Sequence, residues 1–176
     1  MEQSNQPRRI SGAPPRRICP VGPDAAPEAV AILLEVSAWS LARGIEVWTE
    51  AELPVATFES TARAGELLLG FEDGRAAATM TLQTLDTVYW PESPRGTALY
   101  LHKIGVRRAF AGSGWLGALV AFAVEDARGR GIPLLRLDTL AGTALRGLYE
   151  GQGFRALEEP PIMVRGRALI RMERRL

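Results

Sequence analysis

From Val30 onward, apolar residues return at the spacing of one helical face, with Val30, Leu33, Leu34 and Leu41 as the repeating positions. Pro23-Asp24 opens this stretch and Gly44 closes it, so a helix is expected from Asp24 to about Arg43, with Asp24 capping its first turn. Thr49 and Glu52 have capping-box spacing, and a second helix is expected from Thr49 to just before Gly65. Pro54 is tolerated there only in the first turns. The pattern then shortens to strands. Glu66–Glu72 and Arg75–Tyr89 flank Asp73-Gly74, a strong hairpin signal, and Arg17–Val21 is a short strand candidate ahead of the helices.

Trp90–Gly96 reads as a loop and Thr97–Val106 as a resumed strand. Trp115–Arg128 reads as a helix, Leu134–Leu140 as a strand and Thr143–Gln152 as a short helix capped by Thr143. Phe154–Glu159 and Ile162–Arg174 close the chain as two strands around a Pro-Pro and an Arg-Gly turn. The order β-α-α-β-β-β-α-β-α-β-β implies an α/β (α+β) domain. Its sheet should be mixed and mostly antiparallel, with helices on both faces and one parallel crossover over residues 97–140.

Composition narrows the function classes. The chain has 176 residues, 47% hydrophobic and 23% charged, with a formal net charge of +1. That suits one globular domain and argues against a nucleic-acid binder driven by bulk charge. Residues 1–17, with three prolines and two Arg-Arg pairs, read as a flexible tail, leaving a single domain at 18–176. One cysteine, Cys19, excludes an intramolecular disulfide, and one histidine, His102, excludes sites built on several His ligands. No apolar run reaches membrane-spanning length, so a cytoplasmic protein with no membrane partner is expected.

The chemistry concentrates in "LHKIGVRRAFAGSGWLGALV", Leu101–Val120. Gly112-Ser113-Gly114-Trp115-Leu116-Gly117 matches G-x-G-x-x-G, but Arg107–Ala111 separate it from its strand. Too few residues follow for several more βα units, which disfavours a dinucleotide fold. A phosphate P-loop is excluded because the chain has no Gly-Lys pair. The better reading is an anion site at a helix start, where glycines let a diphosphate approach unpaired N–H groups. The strand end before it would offer N–H and C=O groups to an amide-bearing arm.

Tyr100–Gly153 resembles the cofactor core of the GNAT superfamily of acyl-CoA-dependent N-acyltransferases. The Leu101–Val120 stretch is similar to its strand, loop and Q/R-x-x-G-x-G/A signature, and "LRGLYEGQGF" (Leu145–Phe154) to its second signature. The resemblance implies acetyl-CoA as cosubstrate, direct transfer to a primary amine, no metal and no covalent enzyme intermediate. It implies cofactor contacts from Ile104, Gly105, Val106, Arg107, Ala111, Gly112, Ser113, Gly114, Trp115, Leu116 and Tyr149. The pattern departs at Ala111 (Arg or Gln expected), Leu116 (Gly or Ala) and Gly142 (Asn). These departures bear on cofactor affinity, with Arg107 or Arg108 as the expected substitute charge.

Tyr149, by the same resemblance, is the candidate general acid at the sulfur. Read as a packing residue, it would instead fill its helix face with Leu145 and Leu148. His102 titrates near neutrality and is a candidate catalytic relay, or else a histidine held by neighbouring hydrogen bonds. Strand alternation puts His102 with Ile104 on one face and the only lysine, Lys103, with Gly105 on the other. Asp138 would bind an ammonium group or pair with Arg136, and Tyr89-Trp90 would wall an acceptor pocket. The acceptor reads as a small-molecule amine, with a protein N-terminus or lysine as the alternative. A non-catalytic CoA-binding or sensor module of the same fold is the rival function. A monomer or homodimer is expected.

Overall fold

The computed structural model describes residues 16–176, so nearly all of the expected tail at 1–17 lies outside the described residues. In chain order the elements are β1 (Arg17–Pro20), α1 (Ala26–Leu41), α2 (Val55–Arg63), β2 (Leu67–Glu72), β3 (Arg75–Gln83), β4 (Leu99–Val106), α3 (Trp115–Gly129), β5 (Leu134–Leu140), α4 (Leu145–Glu150), β6 (Arg155–Ala156), β7 (Ile162–Val164) and β8 (Arg167–Arg175). The expected order holds, with the last expected strand divided into the hairpin β7–β8. Arg165 and Gly166 turn that hairpin with φ of 49° and 77°, and Asp73 and Gly74 turn β2 into β3 with φ of 51° and 74°. Both pairs have the two positive φ values of a tight hairpin turn.

Several boundaries differ from the sequence reading. The second helix begins at Val55, because Pro54 disfavours helical geometry at Leu53, which takes φ −123° and ψ 44°. The Thr49–Glu52 capping box forms, but around a 3-10 turn at Glu50–Glu52. Asp24 lies inside another 3-10 turn and makes no capping bond. Leu41, expected on the apolar face of α1, is 59% exposed, while Ala26, Ala29, Val30, Ile32 and Leu33 form the buried face. Strand β3 stops at Gln83, not Tyr89, and the chain becomes a loop carrying Asp86 and Tyr89.

The sheet order is β1-β2-β3-β4-β5-β8-β6, with β7 also on β8. Only β4 and β5 run parallel. Helix α3 packs on one face against Leu99, Leu101, Leu135 and Leu137, and α1 and α2 pack on the other against Leu67 and Leu69. Close approach on the α3 face explains Gly70: a Cβ there would sit 2.3 Å from the Trp115 ring.

Two irregularities shape the centre of the sheet. Thr79 pairs with Gly105 and Thr81 with His102, so Met80 faces both Lys103 and Ile104. This is a β-bulge, and Lys103 takes a left-handed φ of 51° to make it. Across the bulge strict alternation fails. Leu99, Leu101, Ile104 and Val106 all join the α3 cluster, while His102 and Lys103 both turn to the α2 side. The expected pairing of His102 with Ile104 on one face is therefore corrected. The second irregularity is that β4 and β5 pair only at Leu99–Leu135 and Tyr100–Arg136 and then part.

Candidate functional site

Parting of β4 and β5 leaves the β5-facing backbone groups of Ile104, Gly105 and Val106 without a strand partner. Two cavities open on the gap. One, of about 270 Å³, is walled by α2, the end of β3 and the loop after it. The other, of about 280 Å³, lies between β4, β5 and α4, with α1 and the β7–β8 hairpin over it. Trp48, Glu52, Tyr89, Lys103, Asp138 and Tyr149 line both. The cavities meet at these side chains.

His102 is held between two carboxylates. Asp138 Oδ1 lies 3.3 Å from its Nδ1 and Asp86 Oδ2 lies 3.3 Å from its Nε2. Asp86 is itself fixed, since its Oδ1 accepts the N–H groups of Val88 and Tyr89 at 2.9 Å each. Burial alone would lower the imidazole pKa, but hydrogen bonding and charge from Asp138 and Asp86 outweigh it and raise the pKa to about 9. For Asp86, burial raises the pKa, yet His102 and the two backbone donors leave it lowered. The three residues offer ligand atoms within 4.8 Å of one another. The two carboxylates face opposite ring nitrogens, an arrangement that fits a doubly protonated imidazole.

Asp138 thus faces His102, while Arg136 pairs with Glu173 at 3.0 Å. Tyr149 packs edge-on against Phe154, with ring centroids 6.3 Å apart. Leu148 is 54% exposed, so it does not bury Tyr149 as a core partner. Burial and the charge of Asp138 raise the Tyr149 pKa well above the usual phenol range. Lys103 goes the other way. Its Nζ lies 5.0 Å from the Trp48 ring centroid, and burial lowers its pKa to about 8 against the opposing pull of Glu52 and Asp138. Tyr89 lines both cavities, but Trp90 is 2% exposed and packs on Tyr100, so the pocket wall is Tyr89 with Trp48.

The glycine loop forms a cradle at the start of α3. Gly112 (φ 76°) and Gly114 (φ 89°) are left-handed, and a Cβ at Gly112 would meet nothing within 4 Å. Gly114 is the N-cap and makes no side-chain capping bond, so the first N–H groups of α3 have no intrahelical acceptor. Ser113 Oγ instead donates to the Phe110 carbonyl at 2.7 Å. The Trp115 ring is buried beneath Gly70 and donates to Glu72 at 2.7 Å, so only its backbone faces the cradle. Leu116 packs onto the α3 cluster, and Ala111 is exposed. Gly142 has φ 70°, a conformation that asparagine also tolerates.

Arg107 is not free to supply the substitute charge in this arrangement. Its guanidinium is committed to Glu28 (2.7 Å), Glu35 (2.8 Å) and the Ala76 carbonyl (3.0 Å). Arg108 stacks over Trp39 at 3.8 Å and lines the second cavity. The cation beside the cradle is Arg16, with Nη1 3.6 Å from where a Gly114 Cβ would lie. It is steadied by Glu72 at 3.2 Å and by the Trp115 ring at 5.0 Å. Sequence reasoning missed Arg16 because it lies 98 positions before Gly114. It missed Asp86 by running β3 through it, although an Asp two residues ahead of Val88 is an Asx-turn signal.

The fold and the cleft are those of an acyltransferase. The chain belongs to the acetyltransferase (GNAT) family, whose family model matches residues 33–154. Solved structures share the fold. A GNAT-family acetyltransferase from Listeria monocytogenes aligns with a TM-score of 0.73 at 21% identity, covering 92% of this chain and 95% of that one. The PaiA N-acetyltransferase of Thermoplasma acidophilum, in complex with coenzyme A, aligns at 0.71 and 12% identity, covering 92% and 99%. YncA of Salmonella typhimurium, with its cofactor acetyl-CoA, aligns at 0.69 and 14% identity, covering 93% and 95%. No curated protein matches the sequence. Among the described residues no helix is long and apolar enough to cross a membrane.

Proposed function

We propose that this chain moves an acetyl group from acetyl-CoA to a primary amine by direct attack. The observation that carries the reading is the meeting of two cavities at Asp138 and Tyr149, with Val106 and Arg108, which lead into the glycine turn, lining the second. The coenzyme A and acetyl-CoA held by two structural neighbours support the choice of donor. Gly112, Gly114 and the first N–H groups of α3 would hold the diphosphate, with Arg16 adding charge. Ile104–Val106 would pair with the amide arm as an edge strand pairs with a peptide. When bound, acetyl-CoA supplies the reactive carbonyl and the thiolate leaving group.

Tyr149 keeps its proton at any working pH. A thiol titrates near 8.5, so complete transfer from this phenol to a thiolate runs uphill. Its hydroxyl acts instead as a hydrogen-bond donor to charge developing on sulfur. His102 relays a proton only from its neutral form. With a pKa of about 9 its neutral form comes closer in basicity to an amine whose ammonium titrates near 10.4 than an ordinary imidazole would, and that form becomes more available as pH rises. Asp86 and Asp138 hold the ring and draw a cationic amine inward. Phe58, Trp48 and Tyr89 make the 270 Å³ cavity compact, which favours a small amine over a protein lysine.

Thiol release from acetyl-CoA against a panel of small amines and N-terminal peptides tests this. Turnover with a small amine, well above the amine-free rate, is the expected result. Binding of CoA with no amine-dependent turnover would make the protein a CoA-binding module. Stabilisation by NAD but not by CoA would overturn the donor.

A further inference from the structure

Lys103 has no part in the transfer just described, yet it lies where the two cavities join. The bulge turns its side chain out of register and onto the side of His102. Its amine rests over Trp48, and Lys103 lines both the first cavity, read as the amine's, and the second, where Ile104 and Val106 would meet the amide arm of the donor. It is the only lysine of the chain. We propose that Lys103 is itself an acyl acceptor, so that the protein acetylates its own junction when no amine fills the first cavity. The proposal rests on acetyl-CoA as donor.

The step balances with the groups named. The Lys103 Nζ lone pair forms a C–N bond to the thioester carbonyl carbon, and the C–S bond breaks. The bond electrons leave on sulfur, and a proton lost by nitrogen ends there, giving CoA thiol and an amide. No oxidant or further reactant is needed. Burial already places Lys103 close to neutral-amine chemistry, with a pKa of about 8. The groups facing it are Glu52 from the 3-10 turn, His102 on its own strand, Asp138 on β5, Tyr89, Tyr149, and Arg165 and Arg167 of the β7–β8 hairpin. Glu52 is held by Arg165 at 3.0 Å and by Arg167, and Asp138 by His102 at 3.3 Å, so neither carboxylate forms an ion pair with the Lys103 amine. Acetylation would remove a charge and place a methyl group at the junction, narrowing the route between cavities. Scarcity of acceptor would then silence the enzyme.

Incubating the full chain with acetyl-CoA and no amine at about pH 8, then measuring intact mass and mapping peptides, tests the inference. The expected result is one acetyl group at Lys103, added at least about tenfold faster in the folded protein than in urea, as proximity requires. Lys103→Arg should acquire none there. Modification only at the N-terminal amine, or at Lys103 equally fast in folded and unfolded chain, would overturn it. CoA binding by thermal shift is measured alongside. A stabilised but unmodified protein ends this inference and leaves the donor reading standing, whereas no stabilisation ends both.

Discussion

Asp138 Oδ1 and His102 Nδ1 stand 3.3 Å apart across the gap where β4 and β5 have already separated. Backbone pairing between these strands ends at Tyr100 and Arg136, so the side chains, not the sheet, bridge the cleft at this level. Asp86 completes the bridge from the loop after β3. The cleft therefore stays open for ligand while its two edges are tied by one buried charge.

That tie should depend on pH in a defined direction. The folded pKa of His102 is raised from 6.5 to about 9, so the protonated form is favoured by folding. Its stabilisation is complete below about 6.5 and is lost as pH rises through about 9, on the order of 3 kcal/mol at 1.36 kcal/mol per unit. The melting-temperature gap between wild type and His102→Gln should be wide near pH 6 and close by about pH 9.5. Folding lowers the Lys103 pKa to about 8, a cost common to both proteins that drops out of their difference. A gap that stays constant over this range would refute the linkage.

Because the chain has one histidine, its imidazole can be titrated by NMR without assignment. Wild type should show a midpoint near 9. In Asp86→Asn the amide oxygen still accepts the Val88 and Tyr89 N–H groups, so the loop survives, but the charge at Nε2 is gone. The midpoint should fall by about one unit or more. An unshifted midpoint would mean that Asp138 alone sets the imidazole.

The turn and helix signals carried by adjacent residues hold in the fold, apart from the Asp24 cap and the Asp86 turn, whereas long-range contacts were not legible. The Asp73-Gly74 and Arg165-Gly166 turns follow from two adjacent residues each. The glycine cradle follows from residues within one loop, and α3 from its own apolar run. The Lys103 bulge has no such signature, since lysine is not a residue that seeks φ of 51°. Register against Thr79 and Thr81 imposes it. The Asp86–His102–Asp138 bridge joins three separate segments, and Arg16 reaches Gly114 only because β1 lies beside β2. Tertiary pairing creates these contacts, so no window along the chain contains them.

The cradle can be separated from the packing beneath it. Acetyl-CoA at about 100 times its Kd should stabilise the protein by about 2.7 kcal/mol. Gly114→Val forces a β-branched residue to φ of 89° and should weaken CoA binding more than it lowers the melting temperature. Arg16→Ala should weaken it by about tenfold, the scale of one lost charge-assisted contact. Its cost to stability should be small, because the Arg16–Glu72 pair is partly exposed. Calorimetric titration with CoA gives both affinities. If neither changes, the diphosphate lies elsewhere.

Gly70→Ala provides the opposite signature. Its Cβ would collide with Trp115 at 2.3 Å, inside the core and away from the open side of the cradle. Overpacking of this kind costs about 1–3 kcal/mol. Denaturant unfolding should show that loss, while CoA affinity, read on the fraction still folded, should change little. Equal damage to affinity would mean that the Trp115 ring position sets the cradle geometry.

Tyr149→Phe asks whether the phenol acts on the reaction or only fills space. The substitution keeps the ring and its edge contact with Phe154, so melting temperature and CoA affinity should hardly move. If the hydroxyl donates to charge developing on sulfur, kcat with the best amine of the panel should fall by about 10²–10³, the usual cost of one such donor. The raised pKa adds a second discriminator. A phenol that never ionises in the working range cannot produce a descending limb, so wild-type kcat should not drop between pH 8 and 10 on its account. The ratio of wild-type to variant kcat should be flat over that interval. A ratio that collapses toward one as pH rises would show that the phenol is losing its proton, and Tyr149 would then be acting as a true acid. An unchanged kcat in the variant would reduce the residue to packing and leave solvent to protonate the sulfur.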